Sequence, residues 1–471
     1  MSCRVFDFSG DAEGIFRLFQ DESYVFFLDS SLSQKSLGRF SFIGFDPFEI
    51  CQGDGAKSFD GLERKFHRYA KRNDSVFRSI RIPFLSGAVG YLGYDLGLDF
   101  ENIVPQNQND IKIPDYFFGF YDCLIAIDHV AQKLYIISTG LGENNRYLAQ
   151  RRAEYQTERI TKKLTGYLSP RPDNFDQHDL DAMTEGLPLS RNFTKEQYFR
   201  AVTKALEHIR RGDIYQVNLA QRFQAETDRG DGTVHPAQLY RHLRQFSPSC
   251  FGGYFDGGRF QILSSSPEEF LRLKNGKIQT RPMKGTRPRG TDGFEDKKFR
   301  SDLLKSRKDR AELLMITDLE RNDLGRVCRY GSVHVSKMRA LEAYQTVFQT
   351  TSSVEGALSK GKNCFDVIRA CFPSGSVTGC PKIKAMNIID SLEPHRRKCY
   401  TGSLGYIDFS GNMDFNILIR SLLVFDRRIS FCVGSGIVAD SDPQSEFEET
   451  LTKAKALRQA IAVSRFKTAG V

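Results

Sequence analysis

Residues 399–438, "CYTGSLGYIDFSGNMDFNILIRSLLVFDRRISFCVGSGIV", decide the fold class of this chain. Three apolar runs in this stretch, at 399–409, 415–425 and 428–438, are rich in β-branched and aromatic residues. Gly, Asn, Asp and Arg separate these runs over only a few residues, which is typical of consecutive strands joined by turns. Such short connections join antiparallel strands, because parallel neighbours need a long crossover. The stretch therefore predicts an antiparallel sheet.

Earlier runs extend this pattern and add helices. "RFQILSSS" and "KIQTRPMKG" are typical of further strands, and helical periodicity occurs near 303–319, 363–371, 381–392 and 444–463. Strands that follow one another late in the chain argue against a regular βαβ repeat. The predicted fold class is α+β, with large antiparallel β-sheets and helices on the outside.

Composition shifts along the chain divide it into two regions and a linker. Residues 1–168 are β-rich and end in a charged helical segment at 146–168. Residues 169–193 are polar, contain proline and lack periodicity, so they are predicted to be a linker. The second region, 194–463, opens with Thr194 as an N-cap, and Gly212 is predicted to end its first helix.

Composition excludes several protein classes. The chain of 471 residues is 40% hydrophobic and 27% charged, and Lys plus Arg exceed Asp plus Glu by 67 − 58 = 9. This mild surplus suits an anionic small molecule, and no nucleic acid is expected as a partner. The ten cysteines form no CxxC pair, which favours reduced thiols. With no signal-like start and no apolar run near ~20 residues, a cytoplasmic protein without membrane contact is expected.

Two helices carry carboxylates three residues apart. Asp309 and Glu312 share one helix face, and Glu446 and Glu449 repeat the spacing near another helix start. Two such faces across a cleft could hold Mg²⁺, which prefers hard oxygen ligands and keeps several waters. Favourable placement near a helix N-terminus and an i,i+4 pair with Lys453 explain the same pattern without a metal. Spacing alone leaves both interpretations open.

Other features are suited to anions. In "FPSGSVTGCPKIKAM" (372–386), two glycines precede a helix predicted to begin at Pro381, where free N–H groups could bind an anion. "VGSGIV" (433–438) resembles a turn in which Gly434 and Gly436 admit a ligand to the backbone, although a plain hairpin explains it as well. Arg420 interrupts an apolar strand, and its planar guanidinium suits a carboxylate.

In chain order, "SSSPEEF", "RPMKGTRPRG", "DRAELLMITDLERNDLG", "FPSGSVTGCPKIKAM", "IDSLEPHRRKCYTGSLGY", "FNILIRS" and "VGSGIVADSDPQSEFEET" closely resemble the motifs of the chorismate-utilising enzymes. The resemblance is strong over about residues 190–460 and implies a substrate cleft between two subdomains. The N-terminal "FFLDSSL" and "GRFSFIGFDP" are similar to the two ammonia-using branches of the family.

The resemblance implies a role for each matching position. Glu268 corresponds to the general acid or base, and Ser376 to a substrate-binding Thr or Ser. Gln349 stands where the family often has His, and glutamine can bond a hydroxyl but cannot carry a proton. The remaining implied positions are the Mg²⁺ ligands Glu312 and Glu449 with outer carboxylates Asp309 and Glu446, the carboxylate-holding pair Tyr400 and Arg420, and the backbone donors Gly434 and Gly436. A tryptophan pocket is implied at Ser30, Arg39, Phe40, Pro248 and Phe251.

Lys284, in "PMKGT", distinguishes the branches. Anthranilate synthases usually have alanine at this position, whereas aminodeoxychorismate synthases typically have lysine. A lysine amine could attack C2 of chorismate while the C4 hydroxyl leaves, after which ammonia would replace the lysine. Nearby Mg²⁺ and Arg281, Arg287 and Arg289 are expected to lower the lysine pKa if they lie near it in the fold. Gln216, where the isochorismate branch has a water-activating lysine, disfavours that branch.

The resemblance therefore implies chorismate and ammonia as substrates and Mg²⁺ as cofactor. No GxCxG glutaminase motif occurs in the sequence, so a separate glutamine amidotransferase subunit is the expected ammonia source. The alternatives are component I of anthranilate synthase and, from another class, a non-catalytic anion- or nucleic-acid-binding protein. Without the resemblance, a solvated lysine in a basic turn is the favoured interpretation of Lys284.

Overall fold

A computed structural model of the chain describes residues 1–32, 37–71, 81–167, 175–227, 233–344 and 347–466. In chain order the strands are β1 Ser2–Asp7, β2 Phe26–Asp29, β3 Phe40–Gly44, β4 Glu49–Gly53, β5 Gly87–Leu92, β6 Tyr116–Tyr121, β7 Cys123–Asp128, β8 Lys133–Ser138, β9 Ser190–Arg191, β10 Gln216–Glu226, β11 Phe251–Asp256, β12 Phe260–Ser266, β13 Glu269–Lys274, β14 Lys277–Thr280, β15 Met283–Pro288, β16 His334–Ala343, β17 Val347–Ala357, β18 Gly379–Cys380, β19 Ser403–Asp408, β20 Met413–Asn416, β21 Ser421–Phe425 and β22 Arg428–Ile437.

The helices are α1 Ala12–Phe19, α2 Gly55–Ala70, α3 Tyr94–Phe100, α4 Arg146–Leu164, α5 Gln177–Glu185, α6 Lys195–Arg210, α7 Pro236–Phe246, α8 Gly293–Lys305, α9 Arg307–Gly325, α10 Cys364–Cys371, α11 Lys382–Leu392 and α12 Pro443–Phe466. A single 3₁₀ turn at Gly375–Val377 precedes β18 in the described chain.

The strands form two large antiparallel sheets. The larger sheet has 12 strands, in the order β1-β8-β7-β3-β2-β11-β12-β21-β22-β10-β18 with β9 beside β10. The smaller has 10, in the order β15-β17-β14-β13-β20-β19-β5-β6-β4 with β16 beside β17. The predicted α+β class with antiparallel sheets is confirmed.

The stretch at 399–438 joins the two sheets. β19 and β20 pair in the smaller sheet, whereas β21 and β22 pair in the larger one. The chain crosses from one sheet to the other between Asn416 and Ser421, and Arg420 lies in this crossing with φ +50°. Antiparallel pairing was thus correctly predicted, but the strands divide between two sheets.

Both sequence regions contribute to each sheet. β2 pairs with β11 in the larger sheet, and β5 pairs with β19 in the smaller one. Of the predicted linker, residues 169–174 lie outside the described residues, and the remainder includes α5 and β9. Leu180 and Leu187 in this segment are buried, so it packs against the body of the protein.

An aromatic core fills the space between the sheets. Phe26 and Phe255 from the larger sheet share one cluster with Tyr91 and Phe117 from the smaller sheet. The rings of Phe117 and Phe255 meet edge to face, with centroids 5.5 Å apart. Burying each such side chain stabilises the fold by roughly 1.5–3 kcal/mol. The 38 phenylalanines supply this volume in a chain without tryptophan.

Local sequence signals set the helix ends. Thr194 caps α6 through a reciprocal pair of hydrogen bonds with Gln197, as the sequence predicted. Gly212, with φ +78°, follows the end of α6. The single helix predicted near 303–319 is two helices, α8 and α9, because Ser306 has an extended backbone (φ −60°, ψ 113°). Its hydroxyl accepts from the Asp309 N–H at 3.2 Å and so caps α9.

The turn predicted at 433–438 is wrong. Gly434 and Gly436 lie within β22, opposite Ala220 and Asn218 of β10. A Cβ on Gly434 would lie 2.8 Å from the Tyr400 hydroxyl, and one on Gly436 would lie 2.8 Å from Gln216 Nε2. These glycines therefore serve close approach within a strand rather than a change of chain direction.

Candidate active site

The strand crossing at residues 417–420 lies beside two segments that carry candidate residues, Glu268 and Tyr400. The Ile417 N–H donates to the Glu268 carbonyl at 3.1 Å, and the Thr401 N–H donates to the Leu418 carbonyl at 2.9 Å. The Arg420 carbonyl accepts from the Ser265 N–H at 3.1 Å. Residues 417–420 thus lie between the segment that carries Glu268 and the segment that carries Tyr400.

Lys284 reaches this place from β15. It pairs with Thr350 of β17, and the register shifts after it at Gly285, which has φ +77°. Such a bulge redirects the strand and its side chains. The Lys284 Nζ donates to the Ser376 carbonyl at 3.3 Å, and a Cβ on Gly436 would lie 3.8 Å from that nitrogen. The amine therefore extends from the smaller sheet to β22 of the larger one.

Glu268 has the electrostatics of a proton donor. It is 5% exposed, and burial raises its pKa to about 7 even though Lys284, the Ser376 hydroxyl and the Met283 N–H favour the ionised form. Its Oε1 has no hydrogen-bond partner among the described residues. A carboxyl group with this pKa can give or take a proton near neutral pH.

The amine of Lys284 is shifted towards its neutral form. Burial lowers the pKa of Lys284, and Lys453 adds to the effect, while Glu312, Glu268 and Glu449 oppose it. A neutral amine is the nucleophilic form, so burial here favours reactivity.

The prediction that Arg281, Arg287 and Arg289 lower the pKa of Lys284 was wrong. Each neighbouring arginine is neutralised by a carboxylate: Arg281 by Glu342, Arg287 by Asp309, and Arg289 by Asp296. Burial and Lys453 lower the Lys284 pKa instead of these arginines.

The predicted metal ligands fall into an inner and an outer pair. Glu312 and Glu449 face each other and Lys284 closely enough for their charges to interact. Burial raises the pKa of Glu312. For Glu449, whose side chain is about half exposed, burial also acts to raise the pKa, but the combined effect of Lys453 at 2.7 Å, Lys308 and Lys284 lowers it. Asp309 pairs with Arg287 at 3.0 Å, and Glu446 is bonded to the hydroxyls of Ser435 and Ser441.

Within the described ranges, no group of three or more His, Cys, Asp or Glu side chains is arranged to hold a metal. Mg²⁺ commonly takes one or two protein carboxylates and completes its shell with water and substrate oxygens. The pair Glu312 and Glu449 fits that donor set. Asp309 and Glu446 are bonded to protein groups, as Glu449 is to Lys453 at 2.7 Å, and a supporting role is proposed for them.

Arg420 and Tyr400 are the candidate anion-binding residues of the site. No carboxylate of the described residues acts on Arg420, whose pKa is lowered by burial alone. A desolvated guanidinium favours an anionic partner, and its planar fork matches a carboxylate. Tyr400 is buried, and its hydroxyl lies against Gly434, next to the unpartnered Asn218 Oδ1. The site therefore combines an amine, a carboxyl group with a pKa of about 7, and candidate anion-binding groups.

The family model described as chorismate binding enzyme matches residues 24–459. The chain belongs to the chorismate-binding enzyme family. The "Aminodeoxychorismate synthase component 1" of Escherichia coli (strain K12) is 40% identical over 79% of this chain and 76% of its own length. The "Anthranilate synthase component 1" of Acetivibrio thermocellus is 35% identical over 95% of this chain and 92% of its own.

A solved structure gives the same family. The crystal structure of anthranilate synthase component I from Streptococcus pneumoniae TIGR4 superposes with a TM-score of 0.76 at 31% identity. It covers 91% of this chain, and the match covers 93% of that chain. The resemblance inferred from the motifs is thus confirmed at the level of the family, which includes relatives named for two different products.

Two substrate-binding candidates of this chorismate-binding enzyme lie beside Lys284. Ser376 offers its carbonyl to the Lys284 amine and its hydroxyl to Glu268. Gln349 is buried on β17 and donates to the Thr286 hydroxyl at 3.4 Å. Its contact is with β15, the strand that carries Lys284, rather than with the amine itself.

The tryptophan-pocket candidates lie where β2 and β3 meet β11. The Ser30 hydroxyl bonds to the carbonyls of Phe40 and Cys250, at 2.8 and 3.2 Å, and Phe251 begins β11. Pro248 lies between α7 and β11. Arg39 is held by Asp128 at 2.7 Å and lies over the Phe40 ring. The structure brings these residues together, with Arg39 committed to a protein carboxylate.

Some residues of the site escaped the sequence analysis. Glu320 is almost fully buried. Its helical spacing from Leu313 and Ile316 places it on the apolar face of α9, which explains the burial but does not identify its partners. Lys453 was interpreted only as an i,i+4 partner of Glu449, yet its amine also donates to the Gly434 carbonyl at 2.9 Å. Asn218 carried no signal in the sequence, because its position depends on the pairing of β10 with β22.

Other expectations concern the whole chain. All ten cysteines are free, in agreement with the predicted reduced thiols. None of the described helices is both long and apolar enough to cross a membrane.

Proposed function

We propose that this chain is component 1 of an aminodeoxychorismate synthase, which converts chorismate and ammonia to 4-amino-4-deoxychorismate. The observation that carries the proposal is the position of Lys284, whose half-buried amine lies between Ser376 and Gly436 and next to Glu268. Relatives named for this activity are 35% identical in Bacillus subtilis and 40% identical in Escherichia coli. Anthranilate synthase component 1 relatives have similar identities, so the proposal rests on Lys284, the residue that the motif resemblance associates with the aminodeoxychorismate branch.

The reaction replaces the C4 hydroxyl of chorismate with an amine at the same carbon. The Lys284 nitrogen forms a bond to C2 as the ring double bond shifts and the C4–O bond breaks, and Glu268 gives its proton to the departing hydroxyl. Ammonia then attacks C4, the double bond shifts back, and the C2–N bond to Lys284 breaks. The attacking amine becomes a secondary ammonium, so breakage of its C2–N bond leaves Lys284 neutral. The new ammonium group at C4 then gives a proton to the Glu268 carboxylate, which restores both groups.

Other residues would bind the substrate during both steps. Arg420 and the Tyr400 hydroxyl suit the enolpyruvyl carboxylate, since Arg420 has no carboxylate acting on it from the described protein. The backbone N–H groups near Gly434 and Gly436 would approach the ring carboxylate. Mg²⁺, held by Glu312 and Glu449 with Asp309 and Glu446 behind them, would neutralise the carboxylate charge.

The proposed ammonia source is a separate glutamine amidotransferase subunit. The sequence contains no GxCxG motif, and the relatives' names describe one component of a larger enzyme. Free ammonium should therefore replace this partner at high concentration.

Product analysis tests the proposal. The purified chain is incubated with chorismate, Mg²⁺ and ammonium, and the products are separated by liquid chromatography with mass detection. We expect 4-amino-4-deoxychorismate, which becomes p-aminobenzoate only after a lyase is added. Fluorescent anthranilate without a lyase would instead identify an anthranilate synthase. Unchanged chorismate, with salt-sensitive DNA binding, would favour the non-catalytic alternative.

The rate should have a bell-shaped dependence on pH. Lys284 must be neutral to attack, so activity should rise with pH as its lowered pKa is passed. The leaving hydroxyl needs a proton from Glu268, whose pKa is about 7, so activity should fall at higher pH. Because Lys284 and Glu268 interact, the two limbs give apparent pKa values that belong to the pair rather than to either residue. Initial rates of chorismate consumption between pH 5.5 and 9.5 provide the measurement, and a flat profile would contradict the assignment.

Activity should also require Mg²⁺. We expect EDTA to abolish turnover and excess Mg²⁺ to restore it. Glu312→Gln should raise the Mg²⁺ concentration needed for half-maximal activity by roughly 10–100-fold, because the loss of one anionic ligand weakens a site with few protein ligands. Glu448→Gln is the matched control, since Glu448 is exposed on α12 next to Glu449. Equal Mg²⁺ requirements in both variants would remove Glu312 from the metal site.

A further inference from the structure

Glu320 of α9 is a buried carboxylate with three hydrogen-bond donors. It is 1% exposed. Its Oε1 accepts from the Ser374 hydroxyl at 2.9 Å and from the Gly375 N–H at 3.1 Å. Its Oε2 accepts from the Thr280 hydroxyl at 3.2 Å. One side chain therefore connects the 374–376 loop with the end of β14.

Both connected segments lead to the reacting groups. The loop continues to Ser376, whose carbonyl accepts from Lys284 Nζ and whose hydroxyl meets Glu268. Within the loop, the hydroxyls of Ser374 and Ser376 lie 3.1 Å apart. Thr280 ends β14, only a few residues before Lys284 on β15. The position of the amine relative to its carbonyl partner thus depends on Glu320.

Three charged side chains act on Glu320, one of them on the same helix. Asp323 lies one turn further along α9, Lys382 approaches from α11, and Glu268 faces it from the segment before β13. The Lys382 amine donates to Asp323 and, at 3.0 Å, to the Cys371 carbonyl. The positive charge of Lys382 therefore acts on two buried carboxylates, Asp323 and Glu320. Burial and the neighbouring Asp323 raise the pKa of Glu320.

We propose that Glu320 is a positioning residue for the reaction: it holds the Ser374–Ser376 loop and β14 so that Lys284 and Glu268 meet the substrate in one geometry. The side chain does not itself touch the amine of Lys284. Its negative charge also favours the protonated form of Glu268, because like charges nearby oppose ionisation. The inference rests on the proposed function, in that Lys284 and Glu268 are taken to act on chorismate.

Two substitutions separate geometry from charge. Glu320→Ala removes both acceptor oxygens and so all three hydrogen bonds. We expect kcat for chorismate consumption to fall on the order of 10²-fold with KM changed less than about threefold, since misplaced reacting groups lose rate rather than binding. Glu320→Gln keeps an acceptor oxygen and should recover most of that loss. Without the charge, the alkaline limb of its pH profile should move to lower pH. Asp390→Asn is the control, a buried carboxylate that accepts from the Gln106 N–H in another part of the fold.

The outcomes decide the inference. A kcat for Glu320→Ala within twofold of the native value would overturn it. Equal losses in Ala and Gln variants with an unshifted pH limb would also overturn it, because they would show a purely structural role. If Glu320→Ala does not fold, Glu320→Asp, which keeps the charge but shortens the side chain, is judged by the same kcat and KM criteria. Measuring chorismate loss keeps this test independent of the product, so native enzyme that forms anthranilate would contradict the proposed function without deciding the role of Glu320.

Discussion

Lys284→Ala should lose aminodeoxychorismate formation by on the order of 10³-fold or more in kcat, because removal of a covalent nucleophile removes the pathway through which the reaction runs. The fold should persist, since the backbone pairing of Lys284 with Thr350 does not need the side chain. Steady-state rates with chorismate and saturating ammonium, together with thermal unfolding followed by circular dichroism, provide the measurement.

The matched control for this variant is Lys274→Ala, which removes an exposed lysine at the end of β13. It should keep the native rate. The Mg²⁺ requirement of the remaining activity should be the same in Lys284→Ala as in the native protein. Retention of more than half of the native rate by Lys284→Ala would exclude a covalent role for this lysine.

Glu268→Gln should lower kcat by roughly 10²–10⁴-fold, the contribution of a positioned acid or base. The amide keeps the shape of the carboxyl group but cannot protonate the departing hydroxyl. KM should change little, because Glu268 lies beside the reacting groups rather than at the anion-binding residues Arg420 and Tyr400. Rates measured across the pH range should also show that the variant has lost one of the two limbs.

Stability measurements separate this loss of rate from misfolding. The pKa of Glu268 is raised to about 7 in the folded state, above its value in the unfolded chain. As the pH rises from that unfolded-state pKa towards 7, ionisation of Glu268 therefore opposes folding progressively. Glu268→Gln should therefore have a free energy of unfolding at pH 8 that equals or exceeds the native value. The exposed Glu226→Gln on β10 serves as the control for loss of a carboxylate. An active Glu268→Gln, or one inactive through unfolding, would contradict the assigned role.

Much of the fold follows from local patterns in the sequence. The alternation of apolar runs and turns in 399–438 predicts antiparallel strands, and these strands are present. "KNGK" (274–277) has the composition of a tight turn and forms the hairpin between β13 and β14, with positive φ at Asn275 and Gly276. Division of that stretch between two sheets was not predictable. It depends on contacts with β5 and β12, which lie far away in sequence.

The two errors in local structure have the same origin. Gly434 and Gly436 have the composition of a turn, but pairing with β10 holds them in a strand. The helix break at Ser306 has a capping signal that is weaker than the apolar periodicity around it. In both cases one specific interaction outweighs the average preference of the segment. For the glycines it is the pairing with β10, and for Ser306 it is the hydrogen bond that caps α9.

Site chemistry was predictable where it depends on the residue type. The roles predicted for Lys284 and Glu268 came from the motif resemblance, whereas Arg420 also stood out as a charge inside an apolar run. The cause of the lysine shift was not predictable, since Arg281, Arg287 and Arg289 all have carboxylate partners distant in sequence or on another element. Glu320 was hidden because helical periodicity marks burial without identifying the partner.

The most direct test of the covalent mechanism uses the native protein with chorismate and Mg²⁺ but no ammonia. Under these conditions the Lys284 adduct should accumulate, because ammonia is needed to displace it. After rapid acid quenching and proteolysis, mass spectrometry should find the peptide containing Lys284 heavier by chorismate less one water, and this adduct should disappear when ammonium is added before the quench. Unmodified Lys284 in a preparation that makes 4-amino-4-deoxychorismate once ammonium is supplied, or the same adduct on another residue, would contradict the mechanism.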